Sequence, residues 1–265
     1  MGLQTIFLVV IVQGASRGLG LQFCKVLASR ADVAKVIATS RRAENEAALH
    51  SMQSQFPNKM VLINVDVTKE NNIKQVVPKI MEESTGKIDL LLNCSAILHP
   101  SGKGETSLRD VSFEGLRTTF ETNTIGPVLT AKYFSPLLLK SSGLFGKQAG
   151  KKHSGILVNL TAKVSSISDN QVGGWYSYRL SKSALNMATK NLSIELGRGK
   201  SKVICVALHP GTVDTDLSRP YHKGVPADKL FSTEKSVNYL MSIIDKLSVE
   251  DTGKCLAWDG NAIPF

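Results

Sequence analysis

The sequence predicts an α/β protein with one doubly wound parallel sheet, and three observations carry that expectation. Short apolar runs alternate with longer stretches of helical periodicity from one end of the 265 residues to the other. The apolar runs are hydrophobic throughout rather than at every second position, the pattern of strands covered on both faces. No linker and no internal repeat interrupts the alternation, so residues 1–265 read as a single domain. With 42% hydrophobic and 20% charged residues, the composition excludes disorder, collagen and coiled coil as the main state.

Ile6–Val12 (IFLVVIV) reads as the first strand and Leu19–Ser29 as the first helix. The run is far shorter than the ~20 residues that cross a bilayer, and it lacks the basic start and small-residue cleavage site of a signal peptide. Gly2 invites myristoylation, but Ile6 stands where that motif requires Ser or Thr. Lys35–Thr39 and Met60–Val65 are the second and third strands. Helices follow them at Glu44–Gln55 and Glu70–Glu83, the latter with Thr68 as its cap. Ile88–Asn93 is the fourth strand, and a long helical stretch covers Phe113 to Lys140. Ile156–Thr161 and Val203–Leu208 are strands flanking a helix at Trp175–Leu196. A helix at Glu234–Lys246 and a strand at Lys254–Trp258 complete the chain. Two segments read as loops. The first, 141–154, is rich in Gly and Lys; the second, 214–232, is long and polar and follows a strand's C-terminal end, where such sheets bind ligands.

Lys and Arg total 32 against 22 Asp and Glu, a net charge of +10. That excess suits an anionic partner or simply keeps the protein in solution. A nucleic acid is the weakest of these readings: Lys140, Lys147, Lys151 and Lys152 have no aromatic residues interleaved and no recognised motif beside them. Cys24, Cys94, Cys205 and Cys255 form no Cys-x-x-Cys pair and no zinc-ligand spacing, so no metal is expected, and they read as reduced, half-buried thiols.

The first strand runs into Gly14-Ala15-Ser16-Arg17-Gly18-Leu19-Gly20 with a helix behind it. Glycines in that place let the backbone turn tightly and approach a pyrophosphate, which rests on helix N–H groups. The spacing is Gly-x3-Gly-x-Gly rather than Gly-x-Gly-x-x-Gly. At the end of the second strand, where an NAD site wants a carboxylate, stand Ser40-Arg41-Arg42, and the nearest acid is Glu44. With Arg17 in the turn, Arg41 offers a guanidinium for a 2′-phosphate, which predicts NADP(H). Asp66 after the third strand can accept from an adenine amino group while Val67 packs on the ring; a plain helix-leading Asp is the alternative. Asn93 can hold backbone near the cofactor or simply end a strand. Tyr178-x3-Lys182 places a phenol and an ammonium on one helix face. The ammonium favours phenolate and lowers the phenol's pKa, fitting Tyr178 to protonate a carbonyl oxygen as hydride reaches its carbon. Tyr176 lacks that partner, with Leu180 four residues on.

Together with Asn123 and Pro210-Gly211, these motifs resemble the short-chain dehydrogenase/reductases over essentially the whole chain. VQGASRGLG, GGWYSYRLSKSALN, LHPGTVDTDLS and AWDGNAIPF are similar to the C-factor-like and sniffer-type carbonyl reductases, nearest to the plant-like branch. The resemblance implies a Rossmann-type sheet of about seven strands, order 3-2-1-4-5-6-7, and NADP(H)-dependent carbonyl reduction. Tyr178 would be the acid/base. Lys182 would lower its pKa and bind the nicotinamide ribose, and Asn123 would hold a proton-relaying water. Pro210, Gly211, Thr212 and Val213 would line the nicotinamide, with Thr215 near the diphosphate or carboxamide. The implied assembly is a monomer or homodimer acting on a small carbonyl compound, without membrane or nucleic acid. The compartment is cytoplasmic, or a plastid if a transit peptide has been removed.

Three positions depart from the pattern. Asn93-Cys94-Ser95-Ala96 stands for Asn-Asn-Ala-Gly, and Gln13 for the usual threonine, as in the plant-like branch. The catalytic serine is replaced by Ala162, in Asn159-Leu160-Thr161-Ala162. Thr161, Ser165 or Ser166 are the candidates for the missing hydroxyl, Thr161 first, although its place next along a strand turns it to the opposite face. Losing one transition-state donor costs roughly 10²–10³ in rate. The alternative function is therefore an NADP(H)-binding sensor or scaffold with little turnover. The 214–232 segment would close over the substrate, its charges marking either a polar substrate or a solvated lid.

Overall fold

A computed structural model describes residues 8–143, 145–146 and 152–265. Lys147 and Lys151, half of the basic group considered for nucleic acid, lie outside the described residues, as do Ile6 and Phe7 of the first apolar run.

In chain order the elements are β1 (Leu8–Gln13), α1 (Gly18–Ser29), β2 (Val33–Ser40), α2 (Ala47–Gln55), β3 (Met60–Asn64), α3 (Glu70–Glu83), β4 (Leu90–Asn93), α4 (Phe113–Phe120) and α5 (Gly126–Leu138). They continue with β5 (Ile156–Leu160), α6 (Tyr176–Glu195), β6 (Ile204–His209), β7 (Thr212–Val213), β8 (Leu230–Phe231), α7 (Thr233–Ile244) and β9 (Cys255–Ala257). Seven strands pair in parallel in the order β3-β2-β1-β4-β5-β6-β9. The order reverses between β1 and β4, and the crevice outside the C-terminal ends of those strands is where an open α/β sheet takes its ligand.

Strand residues alternate between two cores. Val10 and Val12 join Phe23 and Leu27 of α1 and Leu240 and Ile244 of α7. Val9 and Ile11 face the other way, against Ile73 and Ile80 of α3 and Phe134 of α5. All six β1 residues are buried, which explains an unbroken apolar run in place of an alternating one. Each such side chain contributes roughly 1.5–3 kcal/mol by leaving water.

The structure revises several expected boundaries. The fourth strand begins at Leu90 rather than Ile88, because the buried Asp89 carboxylate accepts from the Val9 N–H at 2.8 Å and from Ser141 Oγ at 2.5 Å. The stretch from Phe113 to Lys140 is two helices joined by a π-helical turn at Glu121–Ile125. Pro127, which cannot donate a backbone hydrogen bond, sits at the start of α5. Thr68 does not cap α3: Lys69 holds the cap position, and the Thr68 hydroxyl donates to Asp66 Oδ1 at 2.7 Å. The 214–232 segment carries 3₁₀ turns at Arg219–Gly224 and Ala227–Lys229 and is framed by the two-stranded pairing of β7 with β8. All four cysteines are free; Cys24, Cys205 and Cys255 are fully buried rather than half-buried. No helix among the described residues is long and apolar enough to cross a membrane.

Candidate active site

The turn after β1 is packed so tightly that two of its glycines admit nothing larger. A Cβ on Gly14, whose φ is +85°, would strike the Ser95 backbone, and one on Gly20 would strike the Gly14 carbonyl. Gly18 also has positive φ, but a Cβ there meets only the Thr215 methyl, at 3.5 Å. An open groove runs here between α1 and the chain after β7, lined by Gly18, Gln22, Thr215 and Asp216. Arg17 stands at the N-cap of α1 without a side-chain capping bond, and the first turn holds no acid. First-turn N–H groups without side-chain caps are chemically suited to an anion such as a diphosphate. Ser16 and Leu19 are half-buried in the same turn.

Arg17, expected from sequence to help hold a phosphate, has a carboxylate partner. Its Nη1 lies 3.1 Å from Asp216, which also pairs with Arg219 at 3.0 Å. Arg41 and Arg42 are exposed past the end of β2, and Arg41 makes no ion pair among the described residues. Glu44 is drawn off that position: it accepts from Asn64 Nδ2 at 2.9 Å and faces Lys79 at 3.5 Å. Asp66 Oδ1 takes the N–H and hydroxyl of Thr68, with Oδ2 turned to Lys69 at 3.8 Å. Val67 is buried beneath Gly126, which leaves no room for a Cβ. The Asn93 amide is turned into the sheet, donating to Asn159 Oδ1 at 2.8 Å rather than holding loop backbone.

Tyr178 and Lys182 lie on the inner face of α6, 7% and 2% exposed. The Lys182 Nζ is 5.9 Å from the Tyr178 ring centre and donates to the Leu160 carbonyl at 2.7 Å. Burial pushes the phenol above its ordinary pKa and pulls the lysine down to about 8. This corrects the expectation of a lowered phenol: in the protein alone, loss of water decides both groups. Around Tyr178 stand Leu98, Ala162, Val164, Trp175, Leu217 and Tyr221, an apolar wall. Trp175 meets Tyr178 edge-on with ring centres 6.3 Å apart and Tyr221 at 4.5 Å. The 214–232 segment thus turns Leu217 and Tyr221 inward and leaves its charges outside.

The family model for short chain dehydrogenase matches residues 8–225. The chain belongs to the short chain dehydrogenase family. It is 28% identical to the NADPH-bound carbonyl reductase from chicken fatty liver, with a TM-score of 0.82 over 98% of this chain and 99% of that one. The carbonyl reductase Sniffer of Drosophila melanogaster is 27% identical, TM-score 0.84, over 98% of this chain and all of the other. The C-signal protein of Myxococcus xanthus is 31% identical over 68% of this chain and 95% of its own length.

In this short chain dehydrogenase, the remaining site residues are held mostly by one another. Asn123 lies in the π turn between α4 and α5; its Oδ1 accepts from the Ile97 N–H at 2.9 Å, and its Nδ2 donates to the Ile97 carbonyl at 2.8 Å and Ser181 Oγ at 3.0 Å. Its side chain therefore fixes the loop after β4 against α6. Thr161 donates to Asn186 Oδ1 at 2.7 Å and lies 3.3 Å from Ser165 Oγ, which accepts from Asn186 Nδ2 and donates to the Ala162 carbonyl. Ser166 Oγ accepts from the Asp169 N–H at 3.2 Å. Thr161 and Ser165 thus commit their hydroxyl protons to Asn186 and to the Ala162 carbonyl, while the Ser166 oxygen accepts from backbone, and Ala162 itself joins the apolar cluster around Tyr178. Pro210 accepts from Ser236 Oγ at 2.8 Å; Gly211, at φ +80°, leaves no room for a Cβ against the Phe231 ring. Thr212 is exposed, Val213 is buried, and Thr215 faces Gly18.

Sequence reasoning missed the wall residues Leu98, Trp175, Leu217 and Tyr221, and Asp216 as the partner of Arg17. Trp175, one turn before Tyr178, carried a local signal. Tyr221 and Asp216 carried none beyond their place in a long loop.

Proposed function

We propose that the protein is an NADPH-dependent reductase of a small aldehyde or ketone with an apolar substituent. The observation that carries the reading is Tyr178 and Lys182 buried side by side on α6, in a sheet whose glycine turn opens onto an uncapped helix N-terminus. The uncapped N-terminus of α1 and the exposed Arg41 suit the diphosphate and a 2′-phosphate, with Glu44 engaged by Asn64 and Lys79. NADPH, when bound, supplies the hydride. Tyr178 donates its phenolic proton to the carbonyl oxygen; its raised pKa keeps that proton on at neutral pH. Lys182 stands behind the phenol, and its charge favours the phenolate left after transfer. The apolar wall excludes water and seats the substituent next to the carbonyl. The similar chicken enzyme is an NADPH-bound carbonyl reductase, and Sniffer is a carbonyl reductase; both likenesses support the reading.

Purified protein assayed for NADPH consumption against aldehydes, ketones and diketones tests it. Turnover that disappears in Tyr178→Phe bears it out. A protein that binds NADPH but turns over none of the panel overturns it and favours the second reading, an NADP(H)-binding sensor. The methyl of Ala162 beside Tyr178 is the observation that keeps that reading.

A further inference from the structure

Two carboxylates are buried among the described residues. Asp89 closes the entry to β4. Glu105 has a different place, at the first turn of α6. Its Oε1 accepts from the Ser177 N–H at 3.1 Å and from the Ser177 hydroxyl, and its carbonyl accepts from the Trp175 N–H at 2.6 Å. His99 Nε2 lies 4.0 Å from the same Oε1.

We propose that Glu105 is a positioning residue for Tyr178, holding the first turn of α6 so that the phenol sits at its reacting depth. The proposal rests on the reading of Tyr178 as the proton donor. α6 has no side-chain N-cap and no acid in its first turn, so its terminal N–H groups depend on a carboxylate brought from another part of the chain. Trp175 enters the helix at φ +50°, a left-handed conformation that a non-glycine residue keeps only when its surroundings hold it. Tyr178 follows Ser177 directly, so slack in that turn passes straight to the phenol. The same segment also holds the aromatic wall. The Gly104 N–H donates to the Tyr221 hydroxyl at 2.7 Å, and a Cβ on Gly104 would run into the Trp175 indole. The rest of α6 is anchored independently by Lys182, Leu185, Asn186 and Thr189. Removing Glu105 therefore loosens the reacting group without unfolding the helix.

The test uses the full chain with Glu105→Ala, Glu105→Gln and Ser177→Ala, and Tyr178→Phe as the spectral reference. The readouts are kcat, KM, NADPH affinity, and titration of Tyr178 by its near-ultraviolet phenolate absorbance. Glu105→Ala lowers kcat ~10–100-fold, the scale of a small misplacement of a reacting group. It leaves NADPH affinity within about twofold, since the loss lies in the transition state. Its phenol titrates at lower pH than in the parent protein, because water reaches the ring. Glu105→Gln retains an oxygen acceptor and recovers most of the lost kcat. The proposal is overturned if Glu105→Ala keeps the parent kcat, if Glu105→Gln recovers none, or if the phenol titration is unmoved. Should Glu105→Ala fail to fold, Ser177→Ala decides: removal of one donor gives a loss of ~3–10-fold with a shifted phenol, and parental behaviour overturns the proposal. If the parent protein reduces no carbonyl, the reductase reading falls, and the phenol titration still decides the role of Glu105.

Discussion

Arg17 meets Asp216 at 3.1 Å, so the glycine turn is tied to the segment that follows β7 across the mouth of the groove beside α1. Both side chains are at least half exposed, and such a pair is worth no more than about 1 kcal/mol. A cofactor phosphate within reach of Arg17 would compete with Asp216 for the same guanidinium. Asp216→Asn is expected to tighten NADPH binding by up to about fivefold at low salt, with the gain fading as salt rises. Fluorescence titration at two salt concentrations measures it. Unchanged or weaker binding would show that Arg17 does not reach the cofactor.

Arg41 is the exposed guanidinium where the second strand ends. Arg41→Ala is expected to weaken NADPH binding ~10–100-fold, the worth of a charge-assisted hydrogen bond pair, and to leave NADH binding within about twofold. Equal loss for both cofactors would assign the arginine to general electrostatics rather than to the 2′-phosphate.

Ala162 puts a methyl beside the phenol where the family's pattern has a hydroxyl. Ala162→Ser is expected to raise kcat on a reducible carbonyl by ~10-fold or more, part of the 10²–10³ that one transition-state donor carries. A fall in kcat would mean that another donor already occupies the place and the new hydroxyl displaces it.

Thr161 donates to the buried Asn186, so its hydroxyl has a structural task. Thr161→Val leaves Asn186 Oδ1 without that donor and is expected to cost about 1–3 kcal/mol of stability while kcat changes by less than about threefold. Denaturant unfolding and steady-state kinetics on the same sample separate the two. A large loss of kcat with stability retained would return Thr161 to catalysis.

Lys182 is lowered by burial from 10.5 to about 8. The folded protein therefore binds fewer protons than the unfolded chain between pH 8 and 10.5, and stability rises with pH through that window. The charge penalty is present in full below pH 8 and vanishes above 10.5. A buried thiol works in the opposite sense at high pH, Cys205 being pushed up to about 12, so the effect is read as a difference between proteins. Stability of the parent protein relative to Lys182→Met is expected to rise by about 3 kcal/mol across the window, at ~1.4 kcal/mol per unit. A flat difference would mean that water keeps the ammonium solvated.

The fold and half of the site were legible because both are written in local pattern. Apolar runs named the sheet, and its order followed from resemblance. The glycine turn and Tyr178-x3-Lys182 were readable because a tight turn and a helix face are properties of adjacent residues. What only the tertiary structure decided is how each charge and hydroxyl is used. Arg17 faces Asp216, 199 residues away, and the Thr161 hydroxyl is bonded to Asn186. Tyr178 is raised rather than lowered because burial depends on everything packed around the ring, Leu98 and Leu217 included. Glu105 reaches Ser177 across 72 residues, a contact that no spacing rule encodes. Side chains find partners by proximity in the folded chain, and desolvation is a property of the whole interior; neither has a period along the sequence.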